Sequence, residues 1–173
     1  LKGVNILADN VASTLGPRGR NVILQEPGKR PIITKDGVTV AQVVTLEDPI
    51  ENVGAEIIKQ ASAETNNTAG DGTTTATVLA RSTLQQAQGH LTAGASPVEL
   101  KRGMDKAVTA IVERLATQAR PIASKEDISH IATISANGDK SIGQLVATAV
   151  DTIGKDGAIS IEEARSVETS LDI

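Results

Sequence analysis

The sequence contains no cysteine, tryptophan, tyrosine or phenylalanine, and only one methionine and 2 histidines. Each absence excludes a class of function. Without cysteine there is no disulfide framework, no thiolate nucleophile and no Cys-ligated metal or iron–sulfur site. Without aromatic rings there is no stacking platform for single-stranded nucleic acid and no aromatic cage for a cation. Two histidines are too few for a His-rich metal site. No apolar run approaches the roughly 20 residues that cross a bilayer, and the N-terminus has no basic start followed by an apolar centre. Seventeen basic residues against 21 acidic ones give a formal charge of −4, so a polyanion-binding surface is not the default.

What is present is an aliphatic chain of 173 residues, 39% hydrophobic, built from Ile, Val, Leu and Ala. That length makes one ordinary domain or two small ones and buries a core without staples. Residue 1 is Leu, and the chain stops inside a segment of strand-like alternation (Val167, Thr169, Leu171, Ile173). Both features lead us to expect a piece of something longer.

The pattern is mostly helical. Val4, Leu7, Ala8, Val11 and Leu15 share one helical face over residues 2–15, and Gly16-Pro17 ends it. Asn21–Gln25 and Pro31–Thr34 read as two short strands around a Pro-Gly turn. Val38–Leu46 is ambiguous between strand and helix. Pro49 opens a helix to about Asn66, whose stripe is Ile50, Val53, Gly54, Ile57, Ile58 and Ala61. Further helices follow over 73–92 and 98–118, and these three are expected to pack together. Pro121 marks a boundary. Helices over 125–134, capped by Ser124, and over 140–153 come next, then a strand at Ala158–Ile161 after the turn Gly154–Gly157. His90 and His130 lie on helices with no second ligand at useful spacing and read as surface or structural residues.

Two polar glycine loops stand out: Thr14-Leu15-Gly16-Pro17-Arg18-Gly19-Arg20, after the first helix, and Gly70-Asp71-Gly72-Thr73-Thr74-Thr75, opening another. A glycine loop running into a helix N-terminus offers unpaired N–H groups and the positive end of the dipole, which together attract phosphate. Asp71 suits a phosphate-bound Mg²⁺, which takes carboxylate oxygens. Lys35-Asp36-Gly37 adds a cation and a second carboxylate. Plainer readings stand beside these: Asp71-Gly72 as an N-cap, Lys35-Asp36-Gly37 as a hairpin turn, the three threonines as a packing choice. The third glycine of a dinucleotide loop is replaced by Thr75, and no Walker-type phosphate loop occurs. Residue chemistry alone reaches a helical domain with a candidate Mg-phosphate site.

Four segments together resemble the group I chaperonins, the GroEL family. They are Thr14–Val22 (TLGPRGRNV), Thr34–Ala41 (TKDGVTVA), Ala69–Arg81 (AGDGTTTATVLAR) and Ala132–Asp139 (ATISANGD), in the family's order and spacing. The resemblance covers essentially the whole chain. It implies a mainly α fold with small β-hairpins: the N-terminal part of an equatorial, ATP-binding helical bundle over 1–120 and of an α/β intermediate (hinge) domain over 121–173. It also implies an ATP-dependent folding machine, an ATPase in its full-length assembly. That assembly is a homo-oligomeric stacked double ring working with a GroES-like co-chaperonin and unfolded client proteins, without nucleic acid or membrane. ATP and Mg²⁺ are the implied cofactors, with K⁺ as a further candidate cation. The implied compartment is the bacterial cytoplasm, or an organelle matrix or stroma.

By motif, Thr14, Leu15, Gly16 and Pro17 line the nucleotide. Lys35 approaches the phosphates, Asp71 ligates Mg²⁺, and Gly72, Thr73, Thr74 and Thr75 hold phosphate oxygens. Asp36 is the implied catalytic residue, orienting or deprotonating the attacking water. The family's apical domain and its returning segments, which bring adenine contacts and another catalytic carboxylate, have no counterpart here. The resemblance therefore gives this chain half a nucleotide site. A non-hydrolytic nucleotide-binding or ring-packing module is the alternative.

Overall fold

The computed structural model describes residues 1–154, 157–162 and 171. It divides into two compact units, Leu1–Thr109 and Ala110–Ile173.

The first unit begins with α1 (Lys2–Ala12), which buries Val4, Leu7, Ala8 and Val11, the i, i+3, i+4, i+7 stripe of its sequence. An antiparallel hairpin of β1 (Val22–Leu24) and β2 (Ile32–Thr34) follows, with Ile23 opposite Ile33. The ambiguous segment after it resolves as a helix, α2 (Gly37–Val43). Its β-branched residues favour a strand, but Asp36 caps the first turn, and Gly37, Val40 and Ala41 fall on one buried face. Lys35-Asp36-Gly37 is thus a strand-to-helix junction and not a hairpin turn.

The long helix α3 (Pro49–Ala69) has Pro49 in its first turn and the Asp48 carboxylate accepting from the N–H groups of Ile50 (2.8 Å) and Glu51 (3.1 Å). It runs three residues beyond the expected end, to a left-handed Gly70. α4 (Thr73–Thr92) follows. α1 packs against α2, α3 and α4, and α3 against α4. The shared core is Val4, Leu7, Val11, Leu24, Val40, Ala41, Ala55 and Ile58. Polar links tie its rim: Lys2 with Glu51, Arg81 with Asp9, and Gln85 donating to Asn5 at 2.8 Å.

α5 (Pro97–Gln118) departs from expectation. It has no buried residue and does not join α3 and α4 as a third packed stripe. Leu100 and Met104 only edge a hollow beside Gln86, Ala87 and His90 of α4. The reason lies in its pattern. Val108, Ile111, Val112 and Leu115 make an apolar face along the second half of the helix, and all four are more than half exposed.

In the second unit, α6 (Lys125–Ser135) and α7 (Lys140–Ile153) pack on each other. Ser124 and Asp127 form a reciprocal capping box at the start of α6, and Asp139 caps α7. Gly143 lets the two helices approach: a Cβ there would lie 2.9 Å from the Ser129 carbonyl oxygen and 2.0 Å from Thr133 Oγ1. Residues 157–162 are irregular, so Ala158–Ile161 is not a strand. The strand expected over Val167, Thr169 and Ile173 lies outside the described residues. Among the described residues the second unit has helices and irregular segments but no strand, and the only hairpin is β1–β2.

Candidate functional site

The candidate residues come from three junctions: the end of α1, the β2–α2 junction and the α3–α4 loop. α4 starts unlike α2, α3, α6 and α7. Those helices have a side-chain cap, whereas Gly72, the N-cap of α4, is left-handed and has none. The first ladder bond of α4 runs from Ala76 N–H to the Gly72 carbonyl at 2.9 Å. The N–H groups of Thr73, Thr74 and Thr75 therefore have no partner among the described residues, as expected of a first turn without a cap. Their three hydroxyls make no hydrogen bond to the described residues. Six donors thus cluster at the positive end of a 20-residue helix.

Asp71 is not the N-cap that a plain reading of Asp-Gly would make it. Its Oδ1 accepts from the Gly72 N–H at 2.7 Å, which fixes the carboxylate beside the helix start. Its second oxygen has no partner among the described residues. Left-handed glycines at 70 and 72, with φ of 71° and 81°, allow this turn; a side chain would strain both positions.

Asp36 has its carboxylate anchored. Oδ2 accepts from the Thr39 N–H at 2.9 Å and the Thr39 hydroxyl at 2.5 Å, and Oδ1 from the Val38 N–H at 3.4 Å. The residue is nonetheless exposed, so lone pairs remain available outward. Lys35 is half-buried and forms no ion pair or hydrogen bond with the described residues. Thr14 is buried, its hydroxyl donating to the Val11 carbonyl at 2.8 Å. Leu15, Gly16 and Pro17 are exposed in a loop closed by the Arg20 N–H on the Ser13 carbonyl at 2.8 Å.

The junctions meet at one point. A Cβ on Gly37 would lie 2.0 Å from Thr74 Oγ1 and 3.3 Å from Val11 Cγ1, so the start of α2 lies directly on the first turn of α4 and beside the last turn of α1. No hydrogen bond or ion pair links Thr14–Pro17, Lys35–Asp36 and Asp71–Thr75 to one another among the described residues. The arrangement is a set of donors and carboxylates on the ends of helices. The sequence reading gives Thr39 no role, and Gly37 only that of a turn glycine that lets the backbone come close to a ligand. Thr39, three residues after Asp36, carries a capping signal that identifies it; Gly37 depends on a contact with a residue 37 positions away.

Among the described residues no cluster of three or more acidic or histidine side chains could enclose a metal ion by itself. One unpaired carboxylate oxygen on Asp71 nevertheless fits Mg²⁺, which keeps several waters and binds through one or two carboxylates plus phosphate oxygens. The donor set at α4 supplies the complementary places for phosphate.

A sequence model of the TCP-1/cpn60 chaperonin family matches residues 7–171. The chain belongs to that family. The fold of this chaperonin chain is also similar to that in a solved "Crystal structure of group III chaperonin in the open state". The TM-score is 0.71 at 25% identity, over 87% of this chain and 30% of that one. The chain thus spans less than a third of that relative's length.

Proposed function

We propose that this chain belongs to an ATP-dependent protein-folding chaperonin subunit of group I character. In this reading Thr14–Pro17, Lys35, Asp36 and Asp71–Thr75 are the phosphate-facing half of its nucleotide site. The observation that carries the reading is the uncapped start of α4, with three free N–H groups and three free hydroxyls, in contact with the junction that holds Asp36. Residues 1–120 serve as the equatorial part and 121–173 as part of the intermediate hinge.

The chain's own residues divide the work. The amides and hydroxyls of Thr73, Thr74 and Thr75 donate to phosphate oxygens. Lys35, which has no ion pair among the described residues, faces the phosphates. Asp71 holds Mg²⁺ through its free oxygen. Bound Mg²⁺ supplies charge neutralisation across the phosphates, with K⁺ as a further cation. Asp36, fixed by Thr39, accepts a hydrogen bond from the attacking water and aligns it. This suits phosphoryl transfer, where positioning and charge stabilisation supply most of the rate. The reading carries with it a stacked double ring of identical subunits, a GroES-like co-chaperonin and unfolded clients, in the bacterial cytoplasm or an organelle matrix or stroma.

Calorimetric titration of the full-length ring with ATP, with and without Mg²⁺, tests the assignment. The parent should bind more tightly with Mg²⁺, and Asp71→Ala should lose most of that difference. Equal affinity in the parent under both conditions removes the basis for Asp71. A second reading, a nucleotide-binding or ring-packing module without turnover, is favoured by the exposed apolar face of α5. It predicts binding without phosphate release.

A further inference from the structure

We infer that Gly37 is a positioning residue: its missing side chain sets the distance between the junction that carries Asp36 and the first turn of α4 at Thr74. The inference rests on the proposed nucleotide site and adds to it a residue that touches neither phosphate nor water.

Glycine at position 37 is not explained by backbone conformation. Gly37 is the first residue of α2, and it is not among the glycines with positive φ. In such a place alanine is ordinarily the better residue, because it lowers the conformational entropy of the unfolded chain. Space is what forbids it. A Cβ would stand 2.0 Å from Thr74 Oγ1, 3.2 Å from Thr74 Cβ and 3.3 Å from Val11 Cγ1. Position 37 is buried, and Thr74 is half-buried with a β-branched side chain whose χ1 is stiff in a helix, so rotation of Thr74 gives limited relief. The two flexible-looking turns are therefore locked to each other through one backbone–side-chain contact. Asp36 precedes that contact by one residue and Thr74 is at its other end. Any side chain at 37 must push α2 away from α4. Asp36 would then move relative to the amides of Thr73–Thr75, while those amides themselves remain in place.

The consequence is a split between binding and turnover. Most of the proposed phosphate and Mg²⁺ groups sit on α4 and the α3–α4 loop, so affinity should change little although Lys35 moves with Asp36, whereas turnover depends on the distance from Asp36 to the phosphate. A misplacement of about 1 Å at a reacting centre can cost on the order of 100-fold in rate.

The test is a cycle of four full-length proteins: parent, Gly37→Ala, Thr74→Ala and the double variant. Each is measured for ATP affinity, steady-state phosphate release and melting temperature. Thr74→Ala removes the Oγ1 at 2.0 Å and leaves the Cβ contact at 3.2 Å, which a shift of a few tenths of an ångström absorbs. Gly37→Ala should therefore lower kcat by about tenfold or more in the parent background, with ATP affinity changed less than about threefold. In the Thr74→Ala background the same change should cost far less. Parental kcat in Gly37→Ala overturns the inference, and so does an equal loss in both backgrounds. If Gly37→Ala fails to fold, the double variant must fold and turn over like Thr74→Ala; a double variant that also fails to fold overturns it. A parent that hydrolyses no ATP rejects the proposed function instead. The contact is then judged on melting temperatures alone: Gly37→Ala must lower the melting temperature in the parent and not in Thr74→Ala, and a rise in the parent contradicts it.

Discussion

Asp36 holds two jobs at once, and they can be separated. Its carboxylate caps α2 through Val38 and Thr39, and in the proposed site it also aligns water. Alanine removes both. Asparagine is as good an N-cap, and it keeps an acceptor oxygen for the Thr39 N–H while removing the negative charge. Asp36→Asn should lower kcat for ATP hydrolysis by at least about tenfold, since general-base contributions are of order 10²–10⁴. Its melting temperature should stay close to the parental one. Asp36→Ala should lose activity and about 1 kcal/mol of stability together. Phosphate release and thermal melting of both variants check this, and an asparagine variant with parental kcat leaves Asp36 as a cap only. Capping carboxylates also set the acid response of the second unit. Asp127 is held below the usual 3.8 chiefly by the Ala123 N–H, and then by the side chain and N–H of Ser124. Asp139 is held below 3.8 chiefly by the Ser141 hydroxyl. A depressed folded value stabilises the folded state fully above the unfolded value. That contribution is lost as pH falls through the folded value. Helicity of α6 and α7 should therefore fade below about pH 4, and Asp127→Asn with Asp139→Asn should flatten the circular-dichroism titration there.

Elements were legible where punctuation and periodicity agreed. Pro49 and Ser124 start helices by mechanisms that a sequence states openly, and the α1 stripe of Val4, Leu7, Ala8 and Val11 is buried as its spacing requires. α2 was not legible as one state, because a run of valine and threonine favours a strand until the Asp36 cap and the buried Val40 and Ala41 are counted. Ala158–Ile161 shows the opposite failure: an apolar run reads as a strand, yet no partner strand pairs with it among the described residues. The three site junctions were legible as motifs. Their contact through Gly37 and Thr74 was not, since it depends on how α1, α2 and α4 pack. That packing rests on Leu7, which is fully buried. Leu7→Ala should cost about 2–5 kcal/mol, because a cavity opens between helices that cannot collapse onto it. Chemical denaturation measures this, and a cost under about 1 kcal/mol would place the core elsewhere.

At the scale of the whole molecule, the chain matches its family over residues 7–171 but spans 30% of a solved relative. It also leaves apolar surface uncovered. Val108, Ile111, Val112 and Leu115 recur at helical spacing on α5 and are 56–59% exposed, and Ile23 and Ile33 face each other across the hairpin at 69%. Exposed faces of this kind mark interfaces or aggregation sites. The isolated 173-residue chain should self-associate in analytical ultracentrifugation, with Val108→Glu plus Val112→Glu shifting it toward monomer; a monodisperse parental monomer contradicts that. The central claim, that the start of α4 receives nucleotide phosphate, is tested most directly by amide hydrogen exchange of the intact protein with and without saturating Mg-ATP. The account predicts that the amides of Thr73, Thr74 and Thr75, free in the unliganded chain, become strongly protected on binding. Unchanged exchange at these three amides while ATP is bound would contradict it.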